Sequence, residues 1–481
     1  MATGIRYRLD SSWRRPGDGK VVIAGSPLRL FRLSTGGAQV AAMVEIDEVP
    51  DTASVHQLFD RFVEAGALHP THERSPFSTT QVTVVMPAFG SLPAALPTLL
   101  ASGLRVIVVD DASPVPLEQL VVDDLVVDDL TVDDLTAPAR ADRVIDPRRA
   151  TFIRHDTNTG PAGARNTGLA AVTTPLVAFL DTDVEVGADW LAALLPHFAD
   201  ERVALVAPRV AGAPGTTGLA AFERRHSPLD LGDQPARIAA GTRVSYVPAA
   251  ALLCRTSVIR ELGGFDATMR LGEDVDLVWR LADAGHRCRY EPLSTVHHQP
   301  RATLPELLRQ RFGYGRSAAS LATRHPGALA PVRMSGWSAL SWGLLVARHP
   351  LLALTVAGGT TAALVRTLDD VPPKEAARLA ALGHLAAGRQ FAKAVVRVWW
   401  PVAAVAAVLS RRARLPVAAA VVLPSLIDAV RTRSAQPVAD LPLLTVEQMA
   451  YGAGVWAGVR AEREVGPLAP EFTNWPRRAG G

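Results

Sequence analysis

In the run Ala178-Phe179-Leu180-Asp181-Thr182-Asp183, two carboxylates one residue apart close an apolar segment that reads as a buried strand. An Asp-x-Asp pair at a strand end can hold a divalent cation and, through it, a diphosphate; an isolated acidic loop is usually only solvated. The pair does not stand alone. Asp110 and Asp111 close a second β-branched run, Leu104-Arg105-Val106-Ile107-Val108-Val109, and Pro87-Ala88-Phe89 closes a third, Val82-Thr83-Val84-Val85-Met86. Between them lies Asn158-Thr159-Gly160-Pro161-Ala162-Gly163-Ala164-Arg165-Asn166-Thr167-Gly168. Its glycines, Gly163 among them, let backbone approach a ligand, and Arg165 offers a fixed cationic fork. The ligand these groups suit is anionic.

Three such strands alternating with helical intervals predict an α/β domain with a parallel sheet, which binds its ligands beyond the carboxyl ends of its strands. Asp110, Asp111, Asp181 and Asp183 then share one rim. A dinucleotide-binding oxidoreductase fits less well, because no Gly-x-Gly-x-x-Gly follows the first strand.

Taken together, the Pro-Ala-Phe strand end, Val-Asp-Asp-Ala-Ser, Asn-x-Gly-x-x-x-Ala-Arg-Asn-x-Gly and Asp-x-Asp resemble the nucleotide-sugar half of inverting family-2 glycosyltransferases with a GT-A (Rossmann-like) fold. An acceptor half follows in order: Gly263-Gly264-Phe265-Asp266, then Gly272-Glu273-Asp274-Val275-Asp276-Leu277 with Arg280, then His297-His298, then Gln310-Arg311-Phe312-Gly313-Tyr314-Gly315-Arg316. The resemblance implies Asp274 as catalytic base beside Glu273, although acids also suit a helix N-terminus and both roles can coexist. It implies a Mg or Mn ion at Asp183, with Asp181 on the ribose or just outside the metal shell. One histidine completes that shell, His298 in preference to His297 because Pro300-Arg301 follows it. On the donor side it implies Asp110 or Asp111 on the uracil imide, the backbone of Pro87 and Ala88 beside the base, and Arg165 on the nucleotide or phosphate. Gln310, Arg311 and Arg316 resemble a diverged Gln-x-x-Arg-Trp segment that grips acceptor and diphosphate. The missing Trp argues against processive polymerisation and leaves room for a few sequential additions.

Residues 1–76 carry an Asp18-Gly19 turn, the run from Gly25 to Leu33, and a helical stretch that puts Leu58, Phe59, Phe62 and Val63 on one face. This segment is similar to the PqqD-type winged-helix modules that hold peptides; a structural cap is the plainer alternative. With a transferase over 77–325 and a hydrophobic helical region over 326–481, the chain resembles the glycosyltransferases of mycofactocin biosynthesis. That resemblance implies transfer of glucose from UDP-glucose to a peptide-derived redox cofactor, and a precursor peptide or maturation enzymes as partners of residues 1–76. The alternatives are a membrane transferase acting on lipid or polysaccharide, and a catalytically dead scaffold; the intact Asp181, Asp183, Glu273 and Asp274 weigh against the latter.

A formal charge of +3 over 481 residues gives no case for nucleic acid. Cys254 and Cys288 show neither metal spacing nor a disulfide framework and are expected to fill core positions in a reducing cytosol. Residues 1–10 lack an apolar signal segment, so the catalytic domain is expected to face the cytoplasm. The Val-Val-Asp-Asp-Leu pattern repeated through Leu135 reads as a surface expansion. In the tail, residues 336–347, 351–365, 398–410 and 415–427 are apolar but shorter than the roughly 18 residues a spanning helix wants. Interrupted by Arg348, Arg366, Arg411, Arg412 and Arg414, they predict attachment to the inner membrane face, or else an apolar helical subdomain in solution.

Overall fold

The computed structural model describes residues 5–48, 52–120 and 149–474; the repeated pentapeptide lies outside them. The chain divides into two compact units: residues 1–14 with 23–300, and residues 15–22 with 301–481.

The first unit begins with β1 (Ile5–Leu9), β2 (Val21–Ala24), whose first two residues group with the second unit, β3 (Arg29–Arg32), α1 (Thr35–Glu45), α2 (Ala53–Glu64) and β4 (Leu68–His72), which pairs antiparallel with β1. The periodicity of α2 decides its packing: Val55, Phe59, Phe62 and Val63 are buried and Leu58 is half-buried. Tyr7 packs edge-on against Phe59 at 4.7 Å, and Trp13 and Phe31 against Phe62 at 5.2 and 5.0 Å. Aromatic burial of this kind gives so small a segment a core.

The large sheet follows. β5 (Val82–Ala88) leads through α3 (Leu96–Ala101) to β6 (Arg105–Asp110). After β7 (Ala150–Arg154) come α4 (Gly160–Ala171), β8 (Leu176–Leu180), β9 (Val184–Glu185), β10 (Val203–Gly212), α5 (Gly218–His226), β11 (Ala236–Arg237) and β12 (Ala251–Arg255). α6 (Thr256–Glu261), α7 (Glu273–Asp283) and β13 (Arg287–His298) complete the unit. The strand order is β11-β13-β10-β12-β8-β5-β6-β7, with β9 on β13.

β5, β6, β7 and β8 run parallel, as the alternation predicts. Beyond that block the sheet is mixed: β12 lies antiparallel between β8 and β10. β5, β6 and β8 are buried on both faces, every residue of β8 being fully enclosed, while β7 at the sheet edge is half-buried to exposed. α4 sits so close to them that a Cβ on Gly168 would come within 2.3 Å of Val85 Cγ1, so only glycine fits there. Cys254 on β12 and Cys288 on β13 are buried free thiols. Burial pushes the Cys288 thiol up to about 12, which leaves it inert.

The second unit is mainly helical: α8 (Leu304–Arg324), α9 (Gly336–Val346), α10 (Pro350–Thr367), α11 (Pro373–Arg397), α12 (Trp400–Leu409), α13 (Arg411–Thr432) and α14 (Leu441–Glu462). A short parallel pair, β14 (Arg333–Ser335) and β15 (Glu471–Thr473), joins its ends. α8 and α14 meet backbone to backbone: a Cβ on Gly454 would lie 2.0 Å from the Phe312 carbonyl, and one on Gly458 2.4 Å from that of Arg316. Small residues four apart permit that approach. The apolar run expected at 415–427 extends into a 22-residue helix of mean hydropathy 1.6, long and apolar enough to cross a membrane, with only 6% of its apolar window buried.

Candidate active site

The carboxyl ends of β5, β6 and β8 define one rim, and the expected carboxylates reach it by different routes. Asp110 and Asp111 are turned inward. Asp110 accepts from the Ser113 and Leu117 backbone N–H groups at 2.8 and 3.2 Å and from Arg154 at 2.5 Å. Asp111 accepts from the N–H groups of Thr159 and Gly160, both at 2.8 Å, at the start of α4. Burial alone would raise both carboxyls, but these donors hold them below the usual range. Both are 4% exposed or less and hydrogen-bonded within their own chain. They fold the loops of the rim. Pro87 and Ala88 stand at the end of β5, where the Ala88 carbonyl accepts from the Asp111 N–H at 2.9 Å. Gly163 serves packing within α4, since a Cβ there would meet Thr159 Oγ1 at 2.5 Å.

Arg165, on α4, links the two acidic pairs. It is 3% exposed, and its fork is divided between two carboxylates, Asp181 at 2.5 Å and Glu273 at 2.8 Å, while its guanidinium lies over the Phe265 ring at 5.3 Å. A planar, always-charged fork suits this bridging task better than a lysine would. The result ties the end of β8 to the start of α7.

α7 can start at Glu273 because Gly272 before it takes φ +86°, a left-handed turn that costs glycine little. Three acids fall in its first turn, Glu273, Asp274 and Asp276, where the helix dipole favours them. Asp276 is spent on Arg280 at 2.7 Å. Asp274 accepts from the Ala249 N–H at 3.1 Å and from the Val275 N–H at 2.8 Å, with no cation in direct contact among the described residues. Burial raises its carboxyl, and the nearby negative charge of Asp181 adds to this against the two N–H donors and Arg165. Glu273 is pushed up to about 7, by burial first and by Asp274 second, with Arg165 opposing. Such a pair concentrates negative charge beside the rim and makes Asp274 a stronger base than an exposed carboxylate.

Asp183 and His298 meet one strand away. β9 and β13 pair antiparallel with Val184 opposite His298, and His298 Nε2 lies 3.2 Å from Asp183 Oδ2. His297 is the next residue on the strand, so it points to the other face and is exposed. Among the described residues no group of three or more protein ligands gathers into a ready-made metal cage. One carboxylate and one imidazole fit an ion that takes its remaining ligands from water and a diphosphate, the usual habit of Mg and of similar hard cations.

Gln310, Arg311 and Arg316 lie on α8 in the second unit. Arg311 is buried and paired with Glu447 of α14 at 3.0 Å, and it donates to Gln310 Oε1 at 2.9 Å. Arg311 bonds two helices of that unit together. Arg316 is exposed.

Asn166 was not singled out from the sequence. Its amide makes two hydrogen bonds with Phe265, donating to the carbonyl at 2.7 Å and accepting from the N–H at 2.9 Å. A Cβ on Gly264 would fall 2.4 Å from Asn166 Oδ1. Arg280 holds the same loop through the carbonyls of Leu262 and Gly264. The signal was present in the Ala-Arg-Asn and Gly-Gly-Phe-Asp words but not in their spacing.

A nucleotide-binding parallel block, extended antiparallel and carrying an acidic pair at the end of β8 and another at the start of α7, is the architecture of a GT-A glycosyltransferase. The model of glycosyl transferase family 2 matches residues 83–263 and that of glycosyl transferase family group 2 residues 176–411. The chain is 40% identical over 488 residues to the pre-mycofactocin glycosyltransferase of Mycobacterium tuberculosis, covering 98% of each. It belongs to that glycosyltransferase family, within family 2. Solved structures with a similar chain path include the mannosyltransferase PcManGT from Pyrobaculum calidifontis in complex with GDP-Man and Mn2+, at 16% identity, covering 81% of this chain and 89% of that one with a TM-score of 0.42. S. aureus TarS 1-349 in complex with UDP is 14% identical, covering 49% and 65% with a TM-score of 0.34.

Proposed function

We propose that this transferase moves glucose from UDP-glucose, with inversion, onto the peptide-derived redox cofactor mycofactocin or its precursor, and adds further glucose units to build a short β-linked oligosaccharide. The observation that carries the chemistry is the buried Asp274 carboxyl at the start of α7, raised by burial and held by two backbone N–H groups, next to Glu273, which meets Asp181 across the buried Arg165. Similarity over the whole length to a pre-mycofactocin glycosyltransferase supports the acceptor class.

In this reading an acceptor hydroxyl attacks the anomeric carbon as the bond from that carbon to the diphosphate breaks, and the hydroxyl proton passes to Asp274. Ala249 and Val275 fix the carboxylate through their N–H groups. Glu273 and Arg165 keep the start of α7 in register with β8. Asp183 with His298 would hold Mg or Mn, whose charge offsets that of the departing diphosphate. Asp181, already hydrogen-bonded to Arg165, faces the ribose side.

The test is the intact mass of a peptide-derived cofactor precursor after incubation with the protein, UDP-glucose and Mn or Mg. Increments of one or more hexoses are expected; no increment, with UDP released only when lipid extract is added, would move the acceptor to the membrane. The apolar exposed α13 favours that second reading. It also supports attachment at the cytoplasmic face of the membrane, while residues 1–76 are left to bind precursor peptide or a maturation enzyme.

A further inference from the structure

The helical unit presents apolar side chains that its own packing does not cover. Leu351 and Leu354 on α10 are 79% and 69% exposed, Val408 and Leu409 at the end of α12 74% and 81%, and Leu415 and Val430 on α13 68% and 79%. An apolar surface this extensive marks an interaction site. The charge around it is predominantly basic, and Asp428 on α13 is paired with Arg389 at 2.8 Å. Residues 336–368 contain no Asp or Glu but include Arg348 and Arg366, and residues 398–427 contain none but include Arg411, Arg412 and Arg414. The arginine triplet forms the joint between α12 and α13, where Arg414 Nε donates to the Ala407 carbonyl at 3.0 Å, and Arg431 and Arg433 stand at the far end of α13.

This pattern distinguishes two ways of meeting a bilayer. α9 and α12, with 11 and 10 residues, reach only about 15 Å, half of the roughly 30 Å apolar core. α13 is long enough to cross, but it is basic at both ends, and crossing would carry one cluster away from the anionic cytoplasmic leaflet. Laid in the interface, the same helix buries its leucines and valines while its arginines reach lipid phosphates.

We propose that the second unit docks on a single leaflet of an anionic membrane, with α12 and α13 lying in the interface and Arg411, Arg412 and Arg414 on the headgroups. This rests on the membrane attachment proposed above. The full-length protein is sedimented with vesicles of phosphatidylglycerol and phosphatidylcholine, and with vesicles of phosphatidylcholine alone. Binding is expected to follow the anionic lipid, and the triple variant R411Q/R412Q/R414Q is expected to bind about 100-fold more weakly while still transferring sugar to a soluble acceptor. Cysteines introduced as Ser410→Cys and Ser434→Cys, at the two ends of α13, are expected to react with an impermeant maleimide from the same side of sealed vesicles. Equal binding to both lipids, or labelling from opposite sides, would overturn single-leaflet docking and leave membrane attachment standing. No sedimentation with either lipid, with a concentration-dependent rise in mass by light scattering, would overturn both and give the apolar face to a second copy of the chain.

Discussion

Glu273 and Asp274 are neighbours with different work to do, and their partners separate them. Glu273 bonds Arg165 directly, whereas Asp274 accepts only backbone N–H groups. Asp274→Asn keeps the shape and removes the base, so transfer should fall by about 10²- to 10⁴-fold while UDP-sugar affinity stays nearly unchanged in calorimetry; wild-type turnover would remove Asp274 from the reaction. The same environment sets a pH dependence. A base acts only when deprotonated, and a raised carboxyl stays protonated to higher pH. The acid limb of kcat/KM should therefore lie above the ordinary carboxylate value of about 4. A profile already flat at pH 5 would show that the site is wetter than this geometry implies. At this scale the sequence was legible as residue types but not as partnerships. Arg165 in a glycine-rich segment reads as a phosphate ligand, yet its two partners lie 16 and 108 residues away, and no local pattern encodes that. The partners of Asp111 are hidden for the same reason: the N–H groups it accepts from come from a loop about fifty residues on.

At the scale of elements, α4 is the part on which the site turns. It carries Arg165 toward β8 and α7, Asn166 toward the loop before α7, and Gly168 against β5. Asn166→Ala would leave the Phe265 N–H and carbonyl without their side-chain partner, a cost of about 1–3 kcal/mol, and free the loop that leads to Asp274. The expected result is a lower kcat with UDP affinity preserved, and faster amide exchange over residues 262–272; unchanged exchange would mean that Arg280 alone holds the loop. Asp183→Ala tests a different element, the β9–β13 pair, and should weaken Mn-dependent UDP binding without changing metal-free binding. Elements whose burial is dictated by their own composition, β5, β6 and β8, were legible from their β-branched runs. The antiparallel placement of β12 was not, because a strand buried on both faces reads the same in either direction. Nor was the full length of α13, whose terminal arginines disguise a continuous helix as a short apolar run.

At the scale of the molecule, residues 1–14 and 23–76 belong to the same compact unit as the transferase sheet, and the bonds between them differ in worth. Arg287 meets Glu64, Asp60 and Asp200, and Arg202 meets Asp60. Asp60 and Glu64 are nearly half exposed, so each pair they make contributes about 1 kcal/mol or less; the more buried Arg287–Asp200 pair lies on the transferase side alone. Asp10 is another matter. Its side chain is 1% exposed and accepts from Arg243 at 2.8 Å and from His69 at 3.1 Å. Burial would raise the carboxyl, but His69, Ser12 and Arg243 together hold it well below the usual range. Asp10→Asn leaves buried donors without their charge, a loss of about 3 kcal/mol, and should lower Tm by about 5 °C or more. The double change Asp60→Asn with Glu64→Gln should cost less. Because the folded carboxyl is depressed, its stabilisation is complete above the unfolded value of about 4 and is lost as pH falls through the lower folded value. The gap in Tm between wild type and Asp10→Asn should therefore be widest at neutral pH and close in acid. A gap that stayed constant with pH would show that the side chain contributes by shape rather than charge.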